Sequence, residues 1–445
     1  MVLADPMTIA GYVVGGATGV SLALYWLRRR ADLRRHEAVD ARTTRLGHTE
    51  PPSLHPKIDE HKCICTAACV TSCPEKDVLG MVDGRPKLIK PSACVGHGEC
   101  LRACPVDAIA LVIGTERRGV DLPMLGKDFQ TNVPRLYIAG ELGGMGLIHN
   151  AVNQGMQAVR ALRPAADDRP ELLDLLIVGA GPAGMAAGLE AKARGLRYLV
   201  VEQETLGGAL RSYPRQKIVM THPVELPLHG RVQLRRTTKE ALLELWQDVT
   251  NRHALALSAG ERVTDVARDA DGVFSVTTSR GTHRARHVLL AIGRRGSPRK
   301  LGVPGEELEK VVYKLLEPDQ YRGRAVAVVG GGDSAIETAL MLANEPGTRV
   351  TLVHRGAVFD RCKPDNHDAL ELARSRGTLA VRTEAKPIAI TPDAFEIEDG
   401  GGRARLPNDF VFVCIGGELP TAWLGKIGVD VRRFHGEAHP AAGSA

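Results

Sequence analysis

The first pattern along the chain is a run of twenty uncharged residues, Thr8 to Leu27, reading TIAGYVVGGATGVSLALYWL. As a helix it is about 30 Å long, one hydrocarbon core. Tyr25 and Trp26 close it, where a membrane interface places such rings. Asp5 precedes the run and Arg28, Arg29 and Arg30 follow it. That order fits an uncleaved anchor with the catalytic domains on the cytoplasmic side of the cell membrane, not a signal peptide. Gly11, Gly15 and Gly19 form a small-residue stripe suited to pairing two such helices in a homodimer. Residues 28–55 are Arg-rich and then Pro-containing, and read as a juxtamembrane linker.

Shorter apolar runs follow, each set against glycine. From Leu172 to Gln203 an apolar strand precedes Gly179-x-Gly181-x-x-Gly184, a helix-like stretch follows, and a second strand ends at Glu202. This is the strand–turn–helix–strand context of a dinucleotide site. The glycines allow a tight turn and close approach of a pyrophosphate to a helix N-terminus, and Glu202 is placed to accept from a ribose hydroxyl. The unit recurs from Ala325 to Gly356, with Gly330, Gly332 and Ala335 at the fingerprint positions and Asp333 and Ser334 between them. Its second strand ends in His354 and Arg355, with Arg361 close behind. An acid there repels a 2′-phosphate and cations attract it, which assigns FAD to the first site and NADPH, in preference to NADH, to the second.

Composition sharpens this. The 445 residues suffice for two or three domains, and 48 glycines with few aromatics suit α/β nucleotide-binding folds. The net charge of +6 is largely local, with seven arginines between Arg28 and Arg45, so no nucleic-acid partner is expected. Seven of the nine cysteines lie between Cys63 and Cys104, and such clustering favours metal over a disulfide framework. Cys362 and Cys414 are isolated and read as buried thiols. Cys63, Cys69, Cys73 and Pro74 recur 31 residues later as Cys94, Cys100, Cys104 and Pro105. Soft thiolates suit iron–sulfur clusters, with zinc as the lesser alternative. Between the halves, MVDGRPKLI reads as a hairpin turning at Asp-Gly.

Each half ends C-x3-C-P, and "CPVDAI" follows the second. From about Pro56 to Val112 the chain resembles the bacterial two-cluster ferredoxins. In that family the fourth cysteine of each motif serves the other cluster. The resemblance therefore implies one site at Cys63, Cys69 and Cys104 and another at Cys94, Cys100 and Cys73. Both depart from the family at the second ligand, where Thr66 (with Cys65 one residue away) and His97 stand. Cys65 and His97 are candidate fourth ligands of 4Fe-4S clusters. The alternative is 3Fe-4S clusters held by three thiolates each, with His97 a loop residue.

The two dinucleotide units, with LLAIGR (Leu289 to Arg294) between them, resemble the two-dinucleotide-binding flavoproteins. The thioredoxin reductase-like branch, with its ferredoxin–NADP reductases, is most similar. ETLGGAL, with Gly207 and Gly208, is similar to that branch's flavin-side loop, and VFVCIGGELPT to the strand closing its NADPH domain. The branch ends its chain with a second FAD segment. Here the similar segment, Thr131 to Leu162, comes first, with Gly140 and Glu141 where the family has Gly-Asp. The flavoprotein thus looks circularly permuted. Glu141 would accept from a ribityl or ribose hydroxyl, and amides after Gly146 would face the flavin pyrimidine edge.

The implied organisation is α/β: two Rossmann-like domains, for FAD (114–300) and NADPH (301–421), with a tail at 422–445. They are preceded by a transmembrane helix (8–27), the linker, and a small α+β ferredoxin-like domain (56–113). No C-x-x-C lies in residues 296–415, so an internal dithiol relay is not expected. The implied activity is a membrane-anchored NAD(P)H-dependent flavin oxidoreductase exchanging electrons between NADPH, FAD and two iron–sulfur clusters. Its external partner is a redox protein or quinone. No catalytic side chain is nominated, because the cofactors carry the chemistry. The alternatives are a thiol or disulfide reductase, and a redox sensor with structural clusters.

Overall fold

The computed structural model describes residues 6–52, 54–144, 146–162, 169–213, 218–220, 223–233, 236–294 and 298–438. Helix α1 spans Pro6–Arg45 and runs through the boundary expected between anchor and linker. Residues 28–45 contain neither Gly nor Pro, and helix formers dominate them, so nothing stops the helix before Gly47 at φ +72°. The expected linker is therefore a packed helix. His36 is buried against Gly80 and accepts from the Met81 amide at 3.2 Å, and Lys87 pairs with Asp40 at 2.7 Å. Beyond the helix, fully buried His48 bonds the Phe359 carbonyl at 2.8 Å, and Arg42 pairs with Asp368.

The expected anchor, residues 8–27, lies within α1. Among the described residues no helix is long and apolar enough to cross a membrane. The helix continues directly into Arg28–Arg30. The side chains of residues 8–13 of the expected span, including Gly11, lie outside the described residues.

The cysteine-rich unit is built twice over. Strand His55–Ile58 pairs antiparallel with Ile109–Ile113, and hairpin Leu79–Val82/Arg85–Leu88 turns at Asp83 and Gly84, both at positive φ. Short helices α2 (Ala68–Ser72) and α3 (Glu99–Arg102) each begin after a left-handed residue, Ala67 and Gly98.

Helix α4 (Ile148–Arg160) and strand Leu136–Ile138 precede the first fingerprint yet belong to its sheet. That strand runs parallel to Val288–Leu290, beside the fingerprint strand Leu173–Val178 on the other flank. α4 crosses α5 (Pro182–Ala193) at Gly155, where an added Cβ would stand 2.1 Å from the Ala183 carbonyl. The sheet continues through Tyr198–Glu202 and Leu257–Ala259, with α6 (Lys239–Arg252) alongside. Residues 163–168, in the connection after α4, lie outside the described residues.

A second parallel sheet orders Val311–Val312, Phe410–Val413, Ala325–Val329, Arg349–Val353 and Ala380–Arg382. It carries α7 (Asp333–Ala343) and α8 (Pro364–Ser375). The expected tail is not loose. α9 (Thr421–Lys426) buries Leu424 in the flavin-domain core. Strand Val431–Phe434 then pairs with Val120–Pro123, and Glu437–Ala438 adds an edge beside Ile113 and Val112. Arg433 binds Asp121 through two contacts of 2.8 Å, and Phe434, 1 % exposed, completes the apolar core of the cysteine-rich unit. Residues 439–445 lie outside the described residues.

Phe434→Ala is expected to cost about 3–5 kcal/mol of stability. Chemical denaturation followed by loss of the cluster absorbance, ahead of loss of flavin fluorescence change, checks this.

Candidate functional site

Cysteines of the two halves lie beside one another in the fold. Cys69 has Cys63 and Cys104 as its charged neighbours, and Cys94 has Cys100 and Cys73. This is the grouping that the ferredoxin resemblance implies. Cys100 also faces Cys69, so the two sites adjoin. Burial pushes the Cys94 thiol up to about 12 and Cys100 to about 11, and neighbouring thiolates add to the rise. Such buried thiols need a compensating cation to ionise, which suits them to a cluster and leaves them inert otherwise. Among the described residues no three His, Cys, Asp or Glu side chains converge as they would on a single metal ion.

The two odd positions differ. Cys65 is exposed, at φ +58°, and hydrogen-bonds Cys63 at the rim of the first site. A small cavity there is lined by Cys63, Cys65, Thr66, Cys69 and Cys104. His97 is half-buried and stacks on His149, ring centroids 6.5 Å apart and planes at 12°. His149 lies in the first turn of α4, so this contact joins the cluster loop to the leading flavin segment.

The first fingerprint is shaped by close approach. A Cβ on Gly184 would stand 1.8 Å from the Gly179 carbonyl, and one on Gly179 2.5 Å from the Ala291 carbonyl. Gly181 faces open space, as a pyrophosphate requires. Buried Glu202 accepts from the Ala180 amide at 2.8 Å and the Glu204 amide at 2.9 Å, which fixes its carboxylate at the turn. Gly207 donates its amide to Ala180, and Gly208 lies against Gly181. Gly140, at φ +86°, donates to Gln154 at 2.8 Å, and Glu141 opens the short turn after it. Arg294 faces Glu141; burial disfavours its charge and Glu141 opposes that.

At the second fingerprint Gly330 approaches the Cys414 carbonyl, Gly332 is open, and Ala335 is buried. Arg361 forms a parallel bridge with Gly332, so its backbone lies at the nucleotide turn, and Arg355 and Arg361 are exposed. His354 differs from the expectation. Its ring packs under Gly331, stacks on Phe359 at 4.7 Å, and bonds the Val358 carbonyl at 3.1 Å. Burial holds its pKa below the usual histidine range, so it shapes the turn as a neutral ring and not as a cation. Asp333 is likewise engaged, accepting from the Lys363 amide and Asn366 at 2.7 Å each, and so steadies the loop carrying Arg361. Ser334 is exposed at the first turn of α7.

Sequence reasoning missed three residues: His149, Arg294 and Arg118. Arg118 comes from the turn Thr115–Arg118 and faces Arg361, Glu50 and Asp360. Only folding brings it there, and no local motif marks it.

Two glycine turns of opposite charge preference, in one flavin-type sheet and one nucleotide-type sheet, define an NAD(P)H-dependent flavin oxidoreductase. The chain belongs to the pyridine nucleotide-disulphide oxidoreductase family, whose model matches residues 176–437. A 4Fe-4S dicluster domain model matches residues 55–105. FAD, NADPH and iron–sulfur clusters are accordingly its cofactors. It is 31% identical over 267 residues to a ferredoxin–NADP reductase of Ignicoccus hospitalis, covering 58% of this chain and 82% of that protein. It is 28% identical to the bacilliredoxin reductase Bdr of Bacillus subtilis, over 59% and 82% of the two chains. The solved bacillithiol disulfide reductase Bdr (YpdA) from Bacillus cereus superposes with a TM-score of 0.52, at 28% identity, over 58% and 82%.

Arg361→Ala is expected to weaken NADPH about ten- to a hundredfold, through loss of charged hydrogen bonds, and to leave NADH nearly unchanged. Steady-state KM values for the two nucleotides check this.

Proposed function

We propose that this chain passes electrons from NADPH through FAD to its own iron–sulfur clusters and on to a one-electron acceptor. One observation carries the reading: two cysteine sets are folded onto the flavin domain within a single chain, in contact through His97 and His149. The cofactors supply hydride acceptance and the division of an electron pair into single electrons. The residues supply placement. Gly181 and Gly332 admit phosphates to helix N-termini; Glu202 and Glu141 accept sugar hydroxyls. Arg355 and Arg361 hold the 2′-phosphate, and the cysteines ionise to hold iron. The leading strand and α4 complete the flavin site from a permuted position, which is easy where termini lie close.

The relatives' names also raise thiol or disulfide reduction. In this chain Cys362 is buried, donates to the Phe359 carbonyl, and has its pKa pushed up to about 12 by burial. Cys414 is pushed up to about 11. Burial thus disfavours the thiolate at both positions, which counts against either as the group that attacks a disulfide.

Anaerobic NADPH is expected to bleach the flavin and change the cluster EPR signals. A Cys94→Ala/Cys100→Ala variant should still bleach yet fail to reduce a one-electron acceptor, and Cys362→Ala should retain turnover. Unchanged turnover in the double variant would overturn the reading.

The amino-terminal half of α1 supports attachment of the chain to a membrane. Val14, Val20, Leu22, Leu24, Tyr25, Trp26 and Leu27 are all half or more exposed on it. Flotation with anionic phospholipid vesicles should carry the full chain and not a variant lacking residues 1–27. Recovery of both in the vesicle-free fraction would overturn the attachment.

A further inference from the structure

The two cysteine sites are not equivalent in their surroundings. Each site has a buried thiol, Cys69 at 6 % exposed in one and Cys94 and Cys100 at 7 % in the other, and each has a half-buried member, so the contrast lies in what surrounds them. The loop of the Cys94, Cys100 and Cys73 site carries His97, which stacks on His149 of α4. The other site, of Cys63, Cys69 and Cys104, opens outward. Cys65 beside it is exposed, and neighbouring Ile64 is 60 % exposed. The sites adjoin through Cys69 and Cys100, and through Ser72, whose hydroxyl donates to the Glu99 carbonyl at 3.4 Å. Electron tunnelling falls steeply with separation, and of the two sites it is the one carrying His97 whose loop contacts α4 of the flavin domain.

We propose a fixed order: electrons leave the flavin through the Cys94–Cys100–Cys73 site, pass to the Cys63–Cys69–Cys104 site, and leave the protein there. The His97–His149 ring pair is the positioning contact that holds the inner site to α4. Near-parallel, offset rings of this kind attract without needing charge. The assignment rests on the proposed function above, and adds polarity to it. One NADPH gives up a hydride and becomes NADP+; the two electrons then leave singly, reduce two one-electron acceptor molecules, and one proton is released to solvent. His97 is in this view a residue of contact, whose ring matters for its shape.

The test uses the full, cluster-loaded chain. Iron content and the dithionite-reduced EPR spectrum first establish which clusters each variant holds, independently of turnover. Rapid-freeze EPR after NADPH addition then follows each cluster. In Cys63→Ser/Cys69→Ser the inner signal should appear at the wild-type rate while ferricyanide-independent, protein-acceptor reduction is lost. In Cys94→Ser/Cys100→Ser the outer cluster should still be reduced by dithionite but no longer by NADPH. His97→Ala should slow NADPH-dependent cluster reduction about tenfold, the scale of a small misplacement, with flavin bleaching and iron content unchanged. His97→Phe, which keeps a ring, should restore the rate, and His149→Phe should behave as His97→Phe does. An inner-site variant whose outer cluster is still reduced by NADPH at the wild-type rate would overturn the order. Loss of the inner EPR signal in His97→Phe would overturn the positioning role, since it would make His97 a ligand. If NADPH reduces neither cluster in the unaltered protein while dithionite reduces both, the proposed function itself fails.

Discussion

Phe434 is the residue on which the arrangement of the whole molecule turns. It fills the core of the cysteine-rich unit together with Leu54, Leu111, Ile113, Val120 and Leu122, yet comes from the far end of the chain. Its strand reaches that unit only after α9 has been seated in the flavin-domain core through Leu424. The cluster-binding unit is thus closed by a strand from the flavoprotein and is no bead on a string. Burial of one aromatic ring is worth several kilocalories per mole, and the strand pairing and the Arg433–Asp121 pair add direction to it.

The same logic repeats at the flavin site. The segment Leu136–Ile138 and α4 come before the first fingerprint but are built into its sheet and against α5, at a crossing close enough that Gly155 has no substitute. Chain order and spatial order are decoupled at both ends. These long-range pairings join the cysteine-rich unit and the leading segment to the flavin domain. Arg42 to Asp368, Lys90 to Asp365 and His48 to Phe359 tie the amino-terminal helix and the cysteine unit to the nucleotide domain as well. The exposed ion pairs among these add little individually. Buried His48 is the firmer of the three.

What the sequence made legible was local. Glycine spacing at 179, 181 and 184 fixes a turn whose closeness to strand and helix is dictated within a few residues, and the offset of 31 between cysteines marks two halves whose thiols the fold brings side by side. What stayed illegible depends on contacts between distant segments. The Arg-rich stretch 28–45 looks like a linker by composition, and only its packing through His36 and Asp40 reveals a structural helix. His354 looks cationic beside Arg355, but burial under Gly331 makes it a neutral wedge. Arg118 and His149 carry no motif; their roles arise from which surfaces meet.

The late arrival of Phe434 bears on how the protein is made. Cys104 is the last of the clustered cysteines, and Phe434 follows it by 330 residues (434 minus 104). At about 5–20 residues per second of synthesis, the thiols wait roughly twenty seconds to a minute before their core can close. The core around the cysteines is therefore completed by a residue synthesised long after them, and the amino-terminal segment alone lacks part of that core.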